Sequence, residues 1–168
     1  MHWPIRPMCL GKRRSKLFLK PSRKTLEPPE ALVNNAGILD LQTRVDGMNV
    51  EMIQRIFAVN VTGSFLCARE AVKRISTKYG GKGGSIVNLS SGAAKYGSPG
   101  EYVDYAASKA AIDTLTIGLA KEVAEEGIRV NAVRPGFIDT EIHQSGGEPD
   151  RIEPVSYTHL TLPTILLV

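Results

Sequence analysis

The stretch EYVDYAASKAAIDTLTIGLAKEVAEEGIRVNAVRPG, residues 101–136, changes character once, at Gly127–Ile128. Its first part is proline-free and rich in alanine, and residues 101–128 read as one long helix. The rest, IRVNAVRPG (128–136), reads as a strand stopped by Pro-Gly. Working outward, GSIVNLSS (84–91) is a second strand. ALVNNAGI (31–38) is a short apolar run closed by Asn and Gly, as expected of a buried parallel strand ending in a turn. Between them, residues 49–76 lack proline and repeat Ile53, Ile56, Phe57, Val61, Phe65, Ala68 and Val72 at helical spacing. Asn49 suits the N-cap there, with Glu51 in the first turn. The order strand, helix, strand, helix, strand predicts an α/β fold. It is half of a doubly wound, Rossmann-like parallel sheet with three strands and two long helices, incomplete at both ends.

Near the start of the second helix, Tyr105 and Lys109 stand at i and i+4, on one helical face. Both titrate at about pH 10 when unperturbed, and a cation beside a phenol favours the phenolate. The expectation is a phenol acidified by Lys109 and usable as a proton donor and acceptor near neutrality. The plainer alternative is a surface tyrosine and a surface lysine with nothing between them.

A chain of 168 residues suits one domain with one core. Its net charge of +4 raises the question of nucleic acid. Residues 1–30 carry eight Lys/Arg against two acids, a balance of +6, so the remaining 138 residues sum to −2. The basicity therefore belongs to one end and not to a folded face, which argues against a nucleic-acid partner. That segment also holds five of the ten prolines and shows no period. It reads as a disordered or non-native basic segment, and its prolines count against an amphipathic transit peptide. Residues 31–147 form the α/β unit. Residues 148–168 read as a non-native apolar tail: from Val155 onward it has no Lys, Arg, Asp or Glu, and it could add an edge strand.

Two cysteines, Cys9 and Cys67, make no disulfide framework, so a reducing, cytoplasmic setting is expected. No apolar run reaches the length of a membrane span. His2, His143 and His159 lack ligand spacing, so no metal is expected. G-x-S-x-G is absent, and GGKGG (80–84) precedes a strand and fails as a P-loop, which leaves it a turn.

In open α/β sheets ligands bind at the carboxyl edge of the strands. Asn34–Gly37, Ser90–Ser91 and Pro135–Gly136 all fall there, and the Tyr105–Lys109 turn begins from the same edge. With NNAG (34–37), Asn60 in VNVTGSF, NLSS (88–91), YAASK (105–109) and RPGFIDT (134–140), in this order, the sequence resembles the classical short-chain dehydrogenases/reductases over residues 31 to about 147.

The resemblance implies an NAD- or NADP-dependent enzyme that interconverts a carbonyl and a secondary alcohol by hydride transfer. Its substrate would be a small molecule, and the parent protein would be a homodimer or homotetramer. It gives Tyr105 the role of general acid/base. Lys109 would lower the Tyr105 pKa and hold the nicotinamide ribose. Ser91 would hydrogen-bond the substrate oxygen, with Ser90 its rival. Asn60 would hold a water that relays protons to Lys109, or alternatively would cap a local kink. Asn35, Ala36 and Gly37 would let the chain pass close to the cofactor. Pro135, Gly136, Ile138 and Thr140 would contact the nicotinamide carboxamide.

Ser91 lies 14 positions before Tyr105, one more than close family members lead one to expect. The family's Gly-rich pyrophosphate turn has no counterpart before Ala31, and the residue that separates NAD from NADP is missing with it. The expectation is a fragment that binds cofactor weakly and is weakly active or inactive. Its substrate class would be 3-oxoacyl-carrier-protein-like or sugar-like. The alternative is a non-catalytic, self-associating module.

Overall fold

A computed structural model describes residues 29–138, 142–147 and 164–166. Thr140, the basic segment 1–28 and most of the tail lie outside the described residues. Three strands, β1 (Ala31–Asn34), β2 (Gly84–Leu89) and β3 (Ile128–Arg134), pair in parallel in that order. A short β4 (Thr164–Leu166) adds antiparallel to β3, so part of the tail does supply an edge strand.

The expected helix over 49–76 is a composite. Asn49 caps α1 (Val50–Phe57) by accepting from the Met52 N–H at 2.9 Å. A π-helical turn follows over Ala58–Gly63, and the chain then continues as α2 (Ser64–Ile75). A one-turn α3 (Ala93–Tyr96) follows β2, and the long α4 spans Val103–Glu122. A last short helix, α5, covers Ile142–Ser145.

Strand side chains alternate between faces, so the register decides which residues share one. Leu32 pairs with Ile86 and Ile86 with Val130, so all three lie on the same face. Ile86, Ile128 and Val130 are buried there against Ala71 and Ile75 of α2 and Val123 after α4, with Leu119 and Ala120 packed alongside. Both long helices therefore cover one face. Successive right-handed crossovers running in one direction across a sheet produce that arrangement. Val33, on the opposite face, is 60% exposed.

The GGKGG segment is the expected turn. Gly83 has φ +81°, and a Cβ there would lie 2.5 Å from the Gly127 carbonyl oxygen. The segment lets the chain from α2 enter β2 directly beside the chain entering β3.

A buried polar chain crosses the layers. Asn34 donates to Asn88 Oδ1 at 2.8 Å, Asn88 donates to Thr116 Oγ1 at 2.9 Å, and Thr116 donates to the Ile112 carbonyl at 2.8 Å. Asn88 and Thr116 are fully buried. Amides left unpaired there would be costly, so the chain fixes β1, β2 and α4 in one register.

Candidate active site

The three parallel strands end side by side, and their loops are tied together. Ser90 N–H donates to the Val133 carbonyl at 2.8 Å, and Gly92 N–H to the Pro135 carbonyl at 2.9 Å. The loop carrying Ser91 thus hangs from the end of β3. Across it lies the first part of α4, whose Tyr105 and Lys109 point to the same edge.

Lys109 is only 4% exposed, and its Nζ donates to the Leu89 carbonyl at 2.7 Å. Nζ also sits 5.6 Å from the centre of the Tyr105 ring. Gly37 closes the other side: a Cβ there would lie 3.2 Å from Lys109 Nζ and 3.5 Å from Asn60 Oδ1. The residue after Ala36 is a glycine because the loop presses onto a buried ammonium.

The two serines divide. Ser90 is buried and donates to the Lys109 carbonyl at 3.2 Å, which anchors the loop to α4. The Ser91 hydroxyl accepts from Ala93 N–H at 3.1 Å and also meets the Tyr105 hydroxyl. Ser91 is therefore the serine that shares the Tyr105 position.

Burial raises the Tyr105 pKa above its ordinary value, against the opposing effect of the Ser91 hydroxyl. This corrects the expectation of a phenol acidified by Lys109. Burial also lowers Lys109 to about 8, with the Asp113 carboxylate opposing the fall. Lys109 therefore loses its proton before the phenol would lose its own. Near neutrality the site holds a protonated phenol beside a charged ammonium.

Asn60 lies in the π turn, 1% exposed. Its Oδ1 accepts from Ile38 N–H at 2.8 Å, and its Nδ2 donates to the Ile38 carbonyl at 3.0 Å and to Ser108 Oγ at 3.1 Å. The side chain clamps the loop after β1 onto α4, so its bonds reach Ile38 and Ser108 rather than Lys109. Its backbone carbonyl accepts from Ser64 Oγ at 2.9 Å. Asn35, Ala36, Gly37, Pro135, Gly136 and Ile138 all follow strand ends on this edge, and Ile138 is 41% exposed.

Sequence reading gave no role to Asn88, Thr116, Ser108 or the pair Asp113–Arg134, although Asn88, Ser108 and Arg134 fall within the motifs quoted above. A signal existed for Asn34 and Asn88, which are amides in otherwise apolar strands. None existed for Thr116, whose partner lies 28 positions away. A separate cavity of about 580 Å³, lined by Thr77, Lys78, Lys121 and Glu125, opens at the opposite edge of the sheet. It touches none of the residues above.

Two half-buried hydroxyls, a buried ammonium and a glycine loop with no side chain to obstruct approach therefore meet at this edge. Among the described residues no Gly-rich turn leads from a strand directly into a helix, so nothing described cradles the phosphates. A short chain dehydrogenase model matches residues 13–150, which is most of the chain and begins inside the basic N-terminal segment. The chain belongs to the short chain dehydrogenase family.

Among its relatives, the uncharacterized oxidoreductase YgfF of Escherichia coli is 66% identical over 129 residues, covering 77% of this chain and 52% of that protein. A 3-oxoacyl-[acyl-carrier-protein] reductase of Synechocystis is 41% identical over 116 residues, covering 69% and 45%. A short-chain dehydrogenase from Sphingobium yanoikuyae in complex with NADPH superposes with a TM-score of 0.68 at 29% identity, covering 81% of this chain and 50% of that one. This short-chain dehydrogenase chain thus spans about half the length of the curated relatives it matches. Among the described residues no helix is long and apolar enough to cross a membrane, and no cluster of potential metal ligands occurs.

Proposed function

We propose that this protein works as an NADP(H)-dependent oxidoreductase interconverting a carbonyl and a secondary alcohol. The supporting observation is the meeting of the Tyr105 and Ser91 hydroxyls beside the Lys109 ammonium at the carboxyl edge of the sheet. When bound, the nicotinamide would supply the hydride. Tyr105, protonated near neutrality, gives its proton to the carbonyl oxygen as that oxygen gains charge. Ser91 donates a hydrogen bond to the same oxygen and shares the charge. Lys109 holds its ammonium next to Tyr105, within reach of ribose hydroxyls. Asn60 keeps the Gly37 loop pressed to α4. Asn35, Ala36, Pro135, Gly136 and Ile138 line the approach of the nicotinamide end.

NADP is favoured over NAD because the structural neighbour from Sphingobium holds NADPH. The Synechocystis relative points to a 3-oxoacyl thioester as substrate. The test is NADPH consumption by the 168-residue chain with such a thioester. The expected result is slow turnover whose rate rises linearly with NADPH through the micromolar range, since the described residues offer the phosphates no charge-assisted bonds. Zero turnover at millimolar NADPH overturns the enzymatic reading, and saturation at micromolar NADPH overturns the weak-cofactor reading.

A second reading, a self-associating module without turnover, has one observation in its favour. Phe65 on α2 and Ile117 on α4 are 50% and 38% exposed. Sedimentation of the purified chain, run beside the reductase assay, distinguishes it.

A further inference from the structure

We infer that Asp113 and Arg134 are positioning residues that together set the protonation of Lys109, with Asp113 holding the proton on and Arg134 moderating it. The inference rests on the proton-handling reading of the site and adds to it two residues given no role above, Asp113 within α4 and Arg134 at the start of RPGFIDT.

Asp113 follows Lys109 by one helical turn on α4, so both lie on the same helical face. It is 8% exposed. Arg134, the last residue of β3, sends both Nε (3.0 Å) and Nη2 (2.9 Å) to the same oxygen, Asp113 Oδ2. The other oxygen, Oδ1, is buried with no hydrogen-bond partner. The carboxylate is thus engaged by Arg134 on one oxygen only. Its remaining field acts through the protein interior, where charges are poorly screened. Burial draws Lys109 down and Asp113 opposes it.

The pair also sits where the loops are tied. Arg134 lies between Val133 and Pro135, whose carbonyls hold Ser90 N–H and Gly92 N–H. One ion pair therefore joins the helix of Tyr105 and Lys109 to the strand end that carries the Ser91 loop.

The charged and titratable surroundings of Lys109 are few. On α4 itself they are Tyr105 and Asp113, with Asp104 bonded to the Tyr105 N–H at the helix start. From β3 comes Arg134. The loop after β1, the π turn and β2 bring Gly37, Asn60 Oδ1 and the Leu89 carbonyl, all uncharged. Arg55 of α1 pairs with Asp40, Lys95 of α3 lies exposed over the Tyr96 ring, and Glu126 pairs with Lys78 at the far edge.

The test reads the lysine directly, without cofactor or turnover, so its failure leaves the enzymatic reading standing. In the full chain carrying 13C-labelled lysine, the Lys109 Cε resonance is followed against pH, with a wild-type midpoint of about 8. Asp113→Asn is expected to lower the midpoint by roughly one pH unit. Arg134→Gln is expected to raise it, because it frees the carboxylate and removes a repelling cation. A purely mechanical pair behaves otherwise: breaking it from either side admits water and raises both midpoints. An unchanged or raised midpoint in Asp113→Asn overturns the inference. If that variant does not fold, Asp113→Asn/Arg134→Gln is read against Arg134→Gln alone, from which it differs only by the carboxylate. A midpoint lower than that of Arg134→Gln supports the inference, and an equal or higher one overturns it.

Discussion

At pH 7 Lys109 carries its charge at 4% exposure, and an ammonium so placed holds its proton less tightly than in water. Its pKa falls from 10.5 to about 8. Between those values the unfolded chain binds the proton that the folded chain has lost, so this residue makes folding stability rise with pH across that window. Below about pH 8 both states are protonated and the full cost of the buried charge is present, about 3 kcal/mol from the size of the shift. Lys109→Met removes that cost and also the bond to the Leu89 carbonyl, worth about 1 kcal/mol. The variant is therefore expected to be about 2 kcal/mol more stable than wild type at pH 7. The difference should vanish by about pH 10 in urea unfolding; one that does not change with pH contradicts the buried-charge account. For the reaction the sign is opposite: reduction is expected to weaken as pH passes about 8, where Lys109 loses its charge. At this scale sequence could name Tyr105, Lys109 and Ser91, because a motif carries residue identity. It could not give the sign of the phenol shift, which depends on how deeply the surrounding chain buries that ring.

The elements were legible where period and punctuation agreed. Asn49 caps the helix it was expected to start, and Pro135–Gly136 follow the last residue of β3. The π turn at Ala58–Gly63 was not legible, since one inserted residue leaves the apolar repeat on both sides nearly intact. It is identified by what it does, which is to aim the Asn60 amide across at Ile38 and Ser108. The turn at residues 80–84 can be tested by one substitution. Gly83→Ala forces a Cβ against the Gly127 carbonyl in a left-handed backbone conformation. It is expected to cost about 1–3 kcal/mol in thermal or urea unfolding, whereas Gly80→Ala, where a Cβ meets nothing within 4 Å, carries only the backbone part of that cost. Equal losses in the two variants would mean that strand entry at this turn is not tightly packed.

On the scale of the molecule, three parallel strands carry their two long helices on one face and gather their polar loops at one edge. The edge could be deduced from sequence because strand polarity fixes where successive loops emerge. The polar chain through Asn34, Asn88 and Thr116 could not, because it depends on the register between strands far apart in the sequence. What the whole fold delivers, on this account, is one phenolic proton to a carbonyl oxygen. The direct measurement is kcat/KM for NADPH-dependent reduction of a 3-oxoacyl thioester by the chain before and after Tyr105→Phe, with circular dichroism showing the same fold. The account predicts a loss of about 10²–10⁴-fold; equal rates in the two proteins would contradict it.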